Sequence, residues 1–109
     1  MMKLREVFLL AEAVDDLAQG RSFYDAQELG VGDYFVESVL GDLAVLRLHA
    51  GIHRRVYGFH RLLCLTFPFA VYYEISATGV NVVAVLDMRR NPTWIRESLG
   101  QRPRKTPGE

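Results

Sequence analysis

The stretch "FPFAVYYEISATGVNVVAVLDMRRNP", residues 67–92, indicates the fold of this chain. Two apolar segments with the period of β-strands flank the turn residues "ATG". The second segment is apolar on both faces, which is typical of a central strand covered on each side. Strict alternation predicts one face made of Val82, Ala84, Leu86 and Met88, and the other of Asn81, Val83, Val85, Asp87 and Arg89.

The part of the chain before this hairpin has helical periodicity. A first helix is predicted from Ala11 to Leu29, because Ala13, Leu17 and Tyr24 fall on one helical face. Gly20 predicts a bend or a late start, since glycine costs up to about 1 kcal/mol relative to alanine inside a helix. A second helix, residues 33–49, is predicted from an apolar stripe of Phe35, Val39, Leu43, Leu46 and Ala50.

The remaining elements complete the predicted order. Residues 5–10 predict a first strand, and the region after His53 predicts two short strands or one strand bent near Gly58. Asn91 and Pro92 have the residue types that begin a helix, so residues 91–99 predict a short C-terminal helix. The expected fold is α+β: an N-terminal strand and a helical hairpin packed on one face of a curved, mostly antiparallel sheet. The opposite, cationic face is expected to be open to another molecule.

Length and composition indicate one soluble domain. The chain has 109 residues, of which 50% are hydrophobic and 24% charged. We expect a single domain over residues 1–99 and a disordered basic tail over residues 100–109. Cys64, the only cysteine, excludes an intramolecular disulfide and is expected to be a small buried apolar residue. Neither a secretion signal nor a membrane span is recognisable, so a cytoplasmic location is expected.

Charge is unevenly distributed along the neutral chain. Residues 1–42 contain nine acidic and three basic residues, whereas residues 43–109 contain four acidic and ten basic residues. The first part therefore carries a net charge of −6 and the second +6. This division has two readings, an acidic partner for the C-terminal half or a mere consequence of acid-rich helices and arginine-rich strands.

Several segments together resemble one family of proteins. They are the glycine turn "LGVGD", the segment "RRVYGFHRLLCLTFPFAVYYEI" and a strand that closes in "VLDMRRNP". In this order, over residues 5–99, they resemble the RelE/ParE superfamily of toxins from bacterial type II toxin–antitoxin modules. The "FPFAVYYEI" strand and the arginine pair before "NP" are the most specific parts of the resemblance.

The resemblance implies a plasmid stabilisation-type toxin, neutralised by a cognate antitoxin in a homodimer or a toxin–antitoxin hetero-oligomer. The ParE-like branch, which this chain resembles more, implies inhibition of DNA gyrase without intrinsic catalysis. The RelE-like branch implies instead an endonuclease that cleaves mRNA on the ribosome. A third reading is an inactive antitoxin-binding scaffold.

The RelE-like alternative requires a general base, a general acid and cations around the phosphate. Its working residues would be Arg54, Arg55, His60, Arg61 and Arg89. Against this reading, the chain has no lysine between Lys3 and Lys105, and no Tyr or His follows position 73. The C-terminal acid–base position of that branch therefore lacks a suitable residue.

Histidines are the other candidates for chemistry. His49 and His53 are spaced i, i+4, but Gly51 argues against one helix holding both, and no carboxylate is near in sequence. We therefore expect no metal site and no cofactor, and solvated or structural histidines rather than ligands. Catalysis by His53 or His60 stays open as the minor alternative.

The arginine pair has two readings. In the first, Arg89 and Arg90 end the strand and pair with Asp87 or Glu97, which contributes about 0–1 kcal/mol at an exposed site. In the second, at least one of them binds an acidic antitoxin segment or the target, since guanidinium groups suit carboxylates and phosphates. The resemblance favours the second reading, with Arg61 and Tyr72 as further partner-binding residues.

Overall fold

The sheet is mixed, and its longest strand, β5 (Gly79–Asp87), lies inside it. In the computed structural model, which describes residues 4–103, the sheet has five strands in the order β1-β5-β4-β3-β2, with β1 parallel to β5 and the other pairs antiparallel. The strands are β1 (Val7–Leu9), β2 (Arg55–Val56), β3 (Phe59–Leu63), β4 (Phe69–Ser76) and β5 (Gly79–Asp87). The helices are α1 (Ala11–Gln27), α2 (Val31–Ala44), α3 (Leu46–His49) and α4 (Pro92–Gly100). This arrangement confirms the predicted α+β class.

The helical hairpin covers one face of the sheet, as predicted. Four residues of the predicted stripe are buried: Phe35, Val39, Leu43 and Leu46. They join Val71, Tyr73, Val80, Val82 and Val85 in one cluster, the helix-side core. The predicted second helix is divided near Val45, between α2 and α3. Gly30 precedes α2 with a left-handed backbone at φ 96°, a conformation that glycine adopts at little cost.

Gly20 does not interrupt α1, and the predicted late start is wrong, since α1 begins at Ala11. A Cβ at Gly20 would lie 2.5 Å from the Cε2 atom of Phe35, which is fully buried. The residue therefore permits close contact between α1 and α2, and the contact offsets the low helix propensity of glycine.

A β-bulge in β5 changes which side chains share a face. Tyr72 pairs with Ala84 and Tyr73 with Val82, so Val83 is an extra residue in β5. The strict alternation predicted for this strand is therefore wrong beyond Val82. Val82 and Val85 both belong to the helix-side core, although they are three residues apart.

The second face of the sheet is partly covered by α4. Asn91 caps α4 by accepting a hydrogen bond from the Thr93 amide at 2.8 Å, and Pro92 begins the helix, as predicted. Ile95 and Leu99 of α4 pack against the sheet and form a second core with six residues of the strands. These six are Phe59, Ala70, Tyr72, Val83, Ala84 and Leu86. The expectation that this face is open is therefore wrong at its centre, because the apolar stripe of α4 must also be buried.

The described chain continues for a few residues past the domain boundary predicted at residue 99. Helix α4 extends to Gly100, and the side chain of Arg102 contacts both α1 and β5. Residues 104–109 of the predicted tail lie outside the described residues. Within the described part, none of the helices has the length and apolarity needed to cross a membrane.

Candidate functional site

A tight turn between β5 and α4 carries the arginine pair. The Met88 amide donates to the Pro68 carbonyl at 2.8 Å, and the Arg90 amide donates to the Asp87 carbonyl at 3.2 Å. These bonds end β5 and reverse the chain just before the cap at Asn91. Both arginines are exposed at this turn.

Arg89 is held by its own neighbours. Its Nε donates to Asp87 Oδ1 at 3.0 Å, and its Nη2 donates to Asp87 Oδ2 at 2.7 Å and to the Tyr24 hydroxyl at 3.4 Å. The side-chain hydrogen bonds from Arg89 lower the pKa of the Asp87 carboxyl, and the same bonds raise the pKa of Arg89. This is the pairing that the first reading of the pair describes.

Arg90 is held differently. Its guanidinium carbon lies 3.8 Å from the centre of the Trp94 ring, within the range of a cation–π contact. A cation–π contact uses the charge of the guanidinium and not its N–H groups as hydrogen-bond donors to an oxygen, so these groups can still bind an acceptor. Arg90 is therefore the member of the pair that is oriented by the fold and still able to bind a carboxylate.

A cleft of about 300 Å³ lies beside this turn. Gln19 and Phe23 of α1 line it, together with Arg90 of the turn and Trp94 of α4. Val85, Leu86 and Asp87 at the end of β5 also line it. The cleft therefore combines apolar walls with one oriented guanidinium.

Asp16, which lines this cleft, forms a largely buried ion pair with Arg102. Arg102 Nη1 and Nη2 donate to the two Asp16 carboxylate oxygens at 2.7 and 2.9 Å. Asp16 also accepts from the Val85 amide at 2.9 Å, and Arg102 Nη1 donates to the Val83 carbonyl at 2.9 Å. The hydrogen bonds to Asp16 raise the pKa of Arg102. The sequence analysis did not predict this pair. The available signal was the position of Asp16, a charged residue directly before the core residue Leu17.

The residues of the RelE-like alternative lie in two places. Arg54, Arg55, His60 and Arg61 lie in or beside the paired strands β2 and β3, where Arg55 is opposite His60, and Arg89 lies elsewhere. His60 and Arg61 are adjacent in β3 and point to opposite faces: His60 stacks on Tyr73 of the helix-side core, and Arg61 lies beside the Tyr72 hydroxyl. Arg55 donates to the Gly58 carbonyl at 2.6 Å across the β2–β3 turn, and Arg54 is exposed just before β2. Arg89 lies beyond the end of β5, beside Tyr24 of α1.

Two histidines surround the buried Tyr73 hydroxyl. His53 Nδ1 is 2.5 Å from this hydroxyl, and the Gly51 amide donates to it at 2.9 Å. The His60 ring stacks on Tyr73 with ring centres 5.1 Å apart. Burial, with smaller contributions from His60 and His49, lowers the pKa of His53, which favours the neutral imidazole. The cluster thus connects the loop after α3 to the sheet.

Tyr72 is fully buried in the second core. Its hydroxyl donates to the Met88 sulfur at 3.6 Å, and burial raises its pKa. Contact between this ring and a partner would require α4 to move away from the sheet. Cys64 is also largely shielded, and burial, with Asp42 nearby, raises the pKa of its thiol to about 12, so it is not a nucleophile at neutral pH.

The described residues show no metal-binding cluster. Across residues 4–103, no group of three or more His, Cys, Asp or Glu side chains is arranged to hold a metal ion.

Comparisons with known proteins agree with the fold. No protein-family model matches the sequence, and no curated protein matches it. Among solved structures, it is similar to a chain described as "Chromosomal ParDE TA system from P. aeruginosa", with a TM-score of 0.69 and 16% sequence identity. The similarity covers 75% of this chain and 94% of that chain. The protein therefore has the fold of a chain from a ParDE toxin–antitoxin system.

Proposed function

We propose that this protein is the toxin of a bacterial type II toxin–antitoxin module, that a cognate antitoxin neutralises it in the cytoplasm, and that the free form inhibits DNA gyrase in the ParE-like manner. The observation that carries the proposal is the fold shared with a chain of a ParDE system. The separation of His60, Arg61 and Arg89 supports the ParE-like branch, because RNA cleavage needs an acid, a base and cations around one phosphate.

The test is a gyrase assay with the purified chain. Relaxed plasmid, ATP and gyrase are incubated with increasing amounts of the protein, and supercoiled and cleaved DNA are separated on a gel. Inhibited supercoiling with accumulation of cleaved DNA is expected, and relaxation by a type I topoisomerase should be unchanged. Normal supercoiling at a large molar excess of the protein contradicts gyrase inhibition.

Induced expression in a bacterial host separates the three readings. Growth arrest with filamentation and a DNA-damage response is the expected result for gyrase inhibition. Rapid loss of translation with cleaved transcripts, abolished by His60→Ala, would instead support the RelE-like alternative, for which the adjacent His53 and His60 are the favouring observation. Growth without any effect would support the inactive antitoxin-binding scaffold.

The arginine pair is expected to contribute to toxicity or to antitoxin binding. The double variant Arg89→Ala/Arg90→Ala should fold normally, since both side chains are exposed, and should lose toxicity or antitoxin affinity. Arg96→Ala is the matched control, because Arg96 is an exposed arginine of α4 that does not line the cleft. Unchanged toxicity and unchanged antitoxin affinity in the double variant would remove the pair from function.

A further inference from the structure

The edge of β5 is covered over only part of its length. On one side, β4 pairs with β5 from Gly79 to Asp87. On the other side, β1 pairs with β5 only from Val80 to Val82. Past this point α1 and the chain after α4 replace the strand, because Asp16 accepts from the Val85 amide and Arg102 donates to the Val83 carbonyl.

The next backbone groups on this edge face the cleft. In an extended strand the N–H and C=O of one residue point to the same side, and residues two apart repeat that direction. Since the Val85 amide points away from β4 to Asp16, the Val85 carbonyl and the Asp87 amide also point away from β4. In a segment parallel to β5, one residue could donate its N–H to the Val85 carbonyl and accept from the Asp87 amide. Such a segment would continue the ladder that β1 begins.

The charges of the cleft select an acidic segment. Two carboxylates line it, and each is paired with an arginine: Asp16 with Arg102 and Asp87 with Arg89. Among the described residues that line the cleft, Arg90 is the cation with no carboxylate partner, and Trp94 holds it in place. A single guanidinium above apolar walls matches a side-chain carboxylate between apolar residues better than it matches a polyanion.

We propose that this cleft binds an extended acidic segment of a protein partner, which adds to the sheet as a strand parallel to β5 and places a carboxylate on Arg90. The inference deepens the proposed function, on which it rests, by stating which kind of partner segment the site accepts. Backbone hydrogen bonds would supply affinity, and the alternating side chains would supply specificity.

The test selects peptides against the folded protein. A displayed library of random 12-residue peptides is selected on the wild-type chain and, in parallel, on Arg90→Glu and Arg96→Glu. We expect the wild-type chain and Arg96→Glu to enrich the same peptides, with carboxylates next to apolar residues, and Arg90→Glu to lose them. Circular dichroism establishes that each variant is folded.

Direct binding of the enriched peptides locates the site. Trp94, the only tryptophan of the chain, lines the cleft, so its fluorescence reports binding. Affinity should fall at least about tenfold in Arg90→Glu and change little in Arg96→Glu. The Asp87 amide should become protected from hydrogen exchange, and peptides N-methylated at alternate positions should not bind, because they lack the N–H that a new strand donates.

Three results would overturn the inference: no enrichment of acidic peptides, binding that N-methylation leaves unchanged, or a single-stranded oligonucleotide that displaces the peptides from Arg90 and binds more tightly than any of them. None of these results depends on toxicity. If the protein inhibits gyrase but binds no acidic peptide, only the proposed binding of a strand in the cleft is disproved. A chain that binds the strand without affecting growth or gyrase disproves the proposed toxin activity alone.

Discussion

Two arginine–aspartate pairs place their carboxylates in the lining of the same cleft, and their surroundings differ. Where α1 crosses β5, the Arg102 and Asp16 side chains are 14% and 9% exposed and lie 86 residues apart in the sequence. In the turn after β5, the Arg89 and Asp87 side chains are 54% and 23% exposed and lie two residues apart. Both have an N–O distance of 2.7 Å. Equal geometry at different burial implies different roles: the inner pair stabilises the fold, and the outer pair shapes a surface.

The largest expected effect comes from breaking the inner pair. Asp16→Ala leaves Arg102 buried without its carboxylate and removes the acceptor of the Val85 amide. We expect a loss of about 3–5 kcal/mol in the free energy of unfolding, measured by urea titration. Asp15→Ala, at the exposed neighbouring position, is the control and should change stability by less than about 0.5 kcal/mol. Equal effects in the two variants would show that the inner pair has no structural role.

The second-largest effect on stability is expected from a methyl group added at Gly20, on the same buried side of α1 as Asp16. In Gly20→Ala, the new Cβ overlaps the Phe35 ring, which cannot withdraw because it packs against Phe67 and Phe69. Overpacking costs about 1–3 kcal/mol, and the better helix propensity of alanine returns up to about 1 kcal/mol, so the variant should be less stable.

Gly41→Ala should change stability in the opposite direction to Gly20→Ala. Gly41 lies within α2, and nothing is within 4 Å of a Cβ added there. Its replacement should stabilise the protein by roughly 0.5–1 kcal/mol through helix propensity alone. If both alanines stabilise, the close approach of Phe35 to Gly20 is not a packing constraint.

A small effect is expected at the outer pair. Arg89→Ala removes an exposed pair and should cost about 0–1 kcal/mol of stability. The same replacement at Arg102 should cost several times more, since it leaves Asp16 buried without a cation. Urea titrations of the two variants measure this difference directly, and similar midpoints would contradict it.

The contribution of the outer pair, Arg89 and Asp87, to the free energy of unfolding should also depend on pH. Because Arg89 lowers the pKa of Asp87 in the folded state, its stabilisation is present above the unfolded value, about 3.9, and is lost as the pH falls through the lower folded-state pKa. The difference in stability between the native chain and Arg89→Ala should therefore shrink as the pH is lowered from 6 to about 3. A difference that grows toward acid would contradict this assignment.

Sequence reasoning recovered the features that depend on local periodicity. The apolar stripe of α2, the hairpin of β4 and β5, and the cap at Asn91 were predicted, because each follows from residues within a few turns or one strand. The bulge at Val83 was missed, since it depends on how β4 and β5 fit together and moves every later side chain. Coverage of the second face by α4 was missed because the pattern of a helix states that it must be buried but not where.

The order and type of the elements, and the position of the arginine pair at the end of a central strand, follow from the residue pattern. Which arginine is held by Asp87 and which can still bind follows from the packing of the folded chain, as does the pairing of Asp16 with Arg102 across 86 residues. Periodicity acts over a few residues. The burial that gives one ion pair more weight than another is set by the packing of distant segments.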